Sequence, residues 1–160
     1  MIRILIVAAY AAVRAGLHAL LADAEGCTVI GAVSGSAELE GVLPEARPDV
    51  VLLDDNDGDG PRVVELLSGS GVALVVLGED RTGYERLATS SLPGWAYLLK
   101  QADSGEIAGA VRAVAAGLIV LDRSLSPLLT APLPLLRRLR SRCTTAPAPN
   151  WFRPTCERVA

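Results

Sequence analysis

The segment Asp54-Asp55-Asn56-Asp57-Gly58-Asp59-Gly60 is the part of the chain best equipped for chemistry, with four carboxylates and one carboxamide in six residues. Carboxylates this close repel one another, so the segment calls for a partner cation or wide solvation. Lys100 can supply one positive charge against Asp54, because each residue closes an apolar run, Trp95–Leu99 for the lysine and Val50–Leu53 for the aspartate. Asp55, Asp57, Asp59 and Gly60 also fit the first half of a calcium loop, D-x-[DN]-x-[DN]-G. The acid required at loop position twelve falls on Leu66, with Glu65 one place short, and a solvated acidic loop is the plainer account. His18 is the only histidine and has no Cys, Ser or Asp partner at a useful spacing, so a surface position is expected. Gly31, Gly35 and Gly41 are scattered and make no phosphate-binding fingerprint. Cys27, Cys143 and Cys156 lack the short paired spacing of a disulfide framework or zinc site.

The elements that must position Asp54 and Lys100 are legible in the apolar pattern. Runs rich in Val, Ile and Leu recur at Ile2–Val7, Thr28–Val33, Val50–Leu53, Val72–Leu77 and Trp95–Leu99, each reading as a strand buried on both faces. Between them apolar residues take helical spacing: Val13, Leu17, Leu20 and Leu21; then Leu39, Val42, Leu43 and Ala46; then Val63, Val64, Leu66 and Leu67. The segment around Tyr84 to Ser91 is the weakest helix, since Gly83 and Thr89-Ser90-Ser91 lower its propensity. The last is strong: Ser104 is the expected N-cap with Glu106 in the first turn, and Ile107, Ala110, Val111, Val114 and Ala115 repeat before Gly117 ends it. Strands alternating with helices imply an α/β fold with a parallel sheet covered on both faces. In such folds the crevice lies beyond the carboxyl ends of the strands. Ala8-Ala9, Asp54, Gly78 and Lys100 fall at those ends.

With 160 residues, the chain has room for one domain and an appendage. Hydrophobic residues at 51% supply a core and exclude a disordered chain. The longest apolar runs are far below the roughly 18 residues of a membrane span, and the start lacks the basic-then-apolar order of a secretory signal, so a cytoplasmic location is expected. The net charge of −3 conceals a division. Up to Leu125 nine Lys/Arg face seventeen Asp/Glu, whereas from Ser126 onward six Arg face the single Glu157. Six of the ten prolines also follow residue 125. The expected organisation is an acidic body, 1–125, and a basic, proline-rich tail, 126–160.

"IRILIVAAYAAVRAGLHALL", "RPDVVLLD" and "WAYLLK", followed by the last helix and "AAGLIVLD", resemble the receiver domain of bacterial response regulators. More narrowly they resemble the NarL and FixJ subfamily, in which a receiver precedes a helix-turn-helix domain. The resemblance implies a flavodoxin-like, doubly wound sheet of five strands in the order 2-1-3-4-5. It also implies a site: two acids after the first strand and a phospho-accepting Asp after the third hold magnesium, a Thr or Ser after the fourth senses the phosphoryl group, and a Lys after the fifth pairs with it. Asp54 and Lys100 match the acceptor and the lysine, whereas Ala8, Ala9 and Gly78 stand where the acidic pair and the hydroxyl belong. The loop after Asp54 is about two residues shorter than is usual in the family and lacks its Pro, and Pro93 replaces the glycine usual before the fifth strand, with Gly94 next. Tyr97 matches the family's switch aromatic or serves as edge packing; Trp95 is either an exposed anchor beside the fourth helix or a half-buried residue.

Magnesium needs near-octahedral oxygen coordination, and without the acidic pair only Asp54, the carbonyl of Asn56 and solvent remain. Phosphoryl transfer rests on positioning and charge neutralisation, so losing the ion removes its main catalytic contribution. The expectation is a pseudo-receiver with no catalytic residues, a vestigial site at Asp54 and Lys100, and magnesium weak or absent. The rival expectation is a phosphorylatable receiver that recruits Asp55 or Asp57, with Asn56 and Asp59 nearby, as substitute ligands. The resemblance implies homodimerisation through the first and fifth helices or the fourth-helix, fifth-strand, fifth-helix face, and a histidine kinase or another regulator as partner.

The subfamily's effector needs about sixty more residues in three helices. Thirty-five follow Leu125 without that pattern, so no complete effector domain is expected. Leu133 to Cys143 can be drawn as a short amphipathic helix, with Leu135, Leu136 and Leu139 on one side and Arg137, Arg138, Arg140 and Arg142 around it. It is either a basic patch for nucleic acid or for the acidic body, or a partly ordered extension. The abrupt change of composition near 130 also fits coding sequence read out of frame; absence of a helix-turn-helix pattern in the other two frames of the downstream DNA would exclude that origin.

Overall fold

The computed structural model describes residues 1–56, 58–79 and 83–125. The expectations for Asp57 and for the tail, including Arg137 to Arg142, lie outside the described residues. Met1–Ser126 forms one compact unit. Its elements alternate: β1 Ile2–Val7, α1 Ala11–Ala22, β2 Cys27–Val33, α2 Ser36–Ala46, β3 Val50–Asp54, α3 Gly60–Leu67, β4 Ala73–Gly78, α4 Tyr84–Ala88, β5 Trp95–Leu99, α5 Ser104–Ala115 and β6 Ile119–Leu121, then a 3-10 turn at Arg123–Leu125. The strands make one sheet in the order β2-β1-β3-β4-β5-β6, with every adjacent pair parallel. The expected five-stranded order is present, and the short β6 extends it beyond β5.

Two-sided burial explains the central strands, whereas the expectation of it fails for β2, an edge strand in which only Val33 is buried. Every residue of β3 and β4 is buried. Successive side chains point to opposite faces of a sheet. Ile4, Ile6, Val50, Leu52, Val75, Leu77, Ala96 and Leu98 accordingly pack with Leu17 and Leu21 of α1 and Ile107, Ala110, Val111 and Val114 of α5. The alternate positions, among them Leu5, Leu53, Val76 and Tyr97, point to the other side, where Leu39, Val63, Leu67 and Leu87 of α2 to α4 are buried.

The structure corrects several expectations. Leu20 is 46% exposed, because α1 contacts the core only along the Leu17 and Leu21 stripe, with Val13 partly buried. In α2 only Leu39 is fully buried, and Ala115 at the end of α5 is exposed. The N-cap of α5 is Asp103, not Ser104: its carboxylate accepts from the Glu106 N–H at 2.8 Å, and the Glu106 carboxylate accepts from the Asp103 N–H at 3.0 Å. This reciprocal box satisfies two of the N–H groups that a helix start leaves unpaired. Trp95 is buried, so it offers no exposed anchor. Gly94 is required at its place, because a Cβ there would stand 2.3 Å from the carbonyl oxygen of Val114.

Candidate functional site

The site forms where the parallel ladders end. Asp54 lies opposite Leu77, and Gly78 lies opposite Leu99. The Ala8 N–H donates to the Val33 carbonyl and the Lys100 N–H to the Gly78 carbonyl. Parallel pairing therefore delivers Ala8, Asp54, Gly78 and Lys100 to one edge of the sheet, although they are far apart in sequence.

Asp54 is the one charged residue buried among those described. Its Oδ1 is 3.0 Å from Lys100 Nζ, and its Oδ2 accepts from Asn56 Nδ2 at 2.7 Å. Lys100 Nζ also donates to Asn56 Oδ1 and approaches Glu79 Oε1 at 3.6 Å. The Asp54 side chain is 5% exposed and that of Lys100 22%, so water screens this pair far less than a surface pair. Removing a carboxylate from water is costly unless a partner charge and hydrogen bonds replace its hydration. Lys100 and Asn56 supply that replacement.

The other acids of the loop are directed elsewhere. Asp55 Oδ1 accepts from the Gly60 N–H at 3.2 Å, at the start of α3. Asp59 reaches across to the start of α2, where it accepts from the Ser36 N–H at 3.0 Å and from the Ser36 hydroxyl at 3.2 Å. Carboxylates at helix starts satisfy unpaired N–H groups and complement the helix dipole. Among the described residues no group of three or more His, Cys, Asp or Glu side chains could hold a metal ion. His18 lies exposed on α1.

Two arrangements have no counterpart in the sequence reading. Arg14, from the first turn of α1, turns back so that its Nη1 donates to the carbonyls of Ala8 at 2.6 Å and Ala9 at 2.8 Å. A guanidinium charge thus stands over the strand end that carries methyl groups at Ala8 and Ala9. Its field extends to α2: the Ser34 N–H and hydroxyl, bonding the Glu38 carboxylate, hold that group below its ordinary pKa, and Arg14 adds to the effect. The second arrangement involves Tyr97, which is 2% exposed. A Cβ at Gly78 would lie 1.9 Å from the Tyr97 Oη, and one at Gly83 would lie 2.6 Å from its Cε2. The inward ring therefore occupies the space of both missing side chains. The lack of a side chain at Gly78 is what lets the aromatic ring in.

No family model matches the chain. The DNA-binding transcriptional activator DevR/DosR of Mycobacterium tuberculosis is 32% identical over 137 residues, which are 83% of this chain and 63% of that protein. The response regulator GacA of Pseudomonas viridiflava is 32% identical over 141 residues, 84% of this chain and 63% of GacA. The chain thus spans 63% of the length of either relative. Among solved structures, the isolated receiver of RcsB from Salmonella enterica serovar Typhimurium in the apo form superimposes with a TM-score of 0.69 at 21% identity, covering 81% of this chain and 98% of that one. The receiver of the putative response regulator NarL from Mycobacterium tuberculosis gives a TM-score of 0.61 at 23% identity over 72% of this chain and 97% of that one. The body has the fold of a response-regulator receiver domain. Within it, Asp54 and Lys100 meet at the strand ends, and their mutual contact is the main feature of the site.

Proposed function

We propose that this receiver is a pseudo-receiver, a signalling module that works through protein contacts in place of a magnesium-dependent phosphoryl switch. The observation that carries the reading is the Asp54–Lys100 contact of 3.0 Å, at a strand edge where Ala8 and Ala9 offer no carboxylate. The donor set does not fit magnesium: one Asp54 oxygen meets Lys100 and the other the Asn56 amide, while Asp55 and Asp59 serve helix starts. A cation entering here would have to displace an ammonium and face the charge of Arg14. The clamped Tyr97 supports a single resting arrangement of the neighbouring α4 and β5 surface.

Beryllofluoride with magnesium tests the reading. Titration of the full chain followed by amide NMR is expected to give no saturable shift. A saturable shift abolished by Asp54→Ala would establish the phosphorylatable alternative with substitute ligands.

Transcriptional control is the output proposed, since DevR/DosR is a DNA-binding transcriptional activator. The proposed contact is a second copy. On α1 the exposed residues include Ala11, Ala12, Ala15, Ala19 and Leu20, and the helix has no charged side chain except Arg14, which turns back on the chain. Ala15→Glu is expected to lower the mass seen by sedimentation; an unchanged mass removes α1 from the contact.

A further inference from the structure

Asn56 touches both members of the ion pair. Its Nδ2 donates to Asp54 Oδ2 at 2.7 Å and its Oδ1 accepts from Lys100 Nζ, while Lys100 meets the other Asp54 oxygen at 3.0 Å. The three side chains close a ring. A carboxamide is neutral and carries a donor and an acceptor on one carbon, so it can bridge an anion and a cation without adding charge. Aspartate here would set a second carboxylate against Asp54, alanine would leave both groups unlinked, and glutamine would carry the amide one methylene further out. Neither Asp55 nor Asp59 replaces this contact, since each is committed to backbone N–H groups.

We propose that Asn56 is the latch of the closed site, a positioning residue that aims Lys100 at Asp54 and covers the carboxylate oxygen that Lys100 leaves free. The inference rests on the closed-pair reading given above. While the amide is seated, Oδ2 of Asp54 is closed to an incoming electrophile, and opening requires release from Asn56 as well as from Lys100.

Lys100 is the only lysine in the chain, so acetylation by limiting acetic anhydride modifies one side-chain amine and the N-terminal amine, which mass spectrometry separates by peptide. The readout on the full chain is the protection of Lys100 relative to the N-terminus, folded against urea-unfolded. Lys100 of the parent protein is expected to be protected, and Asn56→Ala to reduce that protection roughly tenfold, as suits the loss of a hydrogen bond to a charged group. Asn56→Asp keeps an oxygen for Lys100 and is expected to retain the protection; its failure to do so would overturn the claim that Oδ1 holds the lysine. Protection unchanged in Asn56→Ala would overturn the latch while leaving the ion pair intact. An unprotected Lys100 in the parent protein would instead overturn the closed pair itself. Should Asn56→Ala not fold, Asn56→Ser, whose hydroxyl is too short to bridge both groups, is measured in the same way.

Discussion

Adding one methyl group at Gly78 tests whether Tyr97 is held by the absence of side chains around it. A Cβ at Gly78 would lie 1.9 Å from Tyr97 Oη and 2.4 Å from Cζ. Non-bonded carbon atoms settle at about 3.5–4.0 Å, so the ring would have to retreat by roughly 1.5 Å. On the Gly83 side the ring already takes the space of the absent side chain, with Oη 2.7 Å and Cζ 3.0 Å from where a Cβ would stand. Two responses remain. Expelling the ring would expose roughly 150–200 Å² of apolar surface and cost about 4–5 kcal/mol. Distorting β4 to keep the ring inside costs about 1–3 kcal/mol, typical of an overfilled core, and should prevail. Gly78→Ala is therefore expected to destabilise the protein by about 2 kcal/mol, read from the urea midpoint at constant slope. Tyr97→Leu removes Cε2, Cζ and Oη, the three atoms in conflict, so adding Gly78→Ala to it should cost little. The double-mutant cycle is expected to show about 2 kcal/mol of coupling. Costs that add to within about 0.5 kcal/mol would mean that the two positions are independent, and the clamp would be refuted.

Two further predictions concern charge. Lys100→Met leaves Asp54 buried with only the Asn56 amide, and a loss of about 2–3 kcal/mol is expected, below the range for a fully buried pair because the lysine is 22% exposed. The Asp54→Asn, Lys100→Met double variant should recover most of that loss in urea unfolding; no recovery would show that Lys100 contributes by packing alone. Glu38, held below its ordinary value of 4.5 by the Ser34 N–H and hydroxyl and by Arg14, stabilises the folded state above that value. The contribution fades as pH falls from there through the lowered pKa, so Glu38→Gln should flatten the acid side of the stability profile. Equal slopes for Glu38→Gln and the parent chain below pH 4.5 would contradict the assignment.

How much of this was legible in the sequence depends on which contacts leave a pattern in side-chain type. The strands were legible because burial on both faces demands an unbroken apolar run, as in Val50–Leu53, and the pairing order then brings Asp54 and Lys100 to one edge. β6 was not, since Ile119–Leu121 is only three residues long and partly exposed, too short for any period to show. The α5 cap was present as Asp103 and Glu106 three residues apart, and the adjacent Ser104 competed for the same role. Trp95 was undecidable from type, because a large aromatic at a strand start suits a surface or a core equally. The site divides in the same way. Asp54 and Lys100 are named by charge at strand ends, whereas Arg14 acts on the carbonyls of Ala8 and Ala9, and a backbone acceptor has no signature of its own. Gly78 shows the same limit from the other side. As a residue type it signals only the absence of a side chain; the ring that takes its space comes from Tyr97 on the neighbouring strand. Ala8 and Ala9 after β1 and Gly78 at the end of β4 are thus each accompanied by an interaction, a guanidinium over the two alanines and a ring beside the glycine. Both Asp54 oxygens are engaged, one by Lys100 and one by Asn56, which is why a fixed state of the site is the arrangement to test.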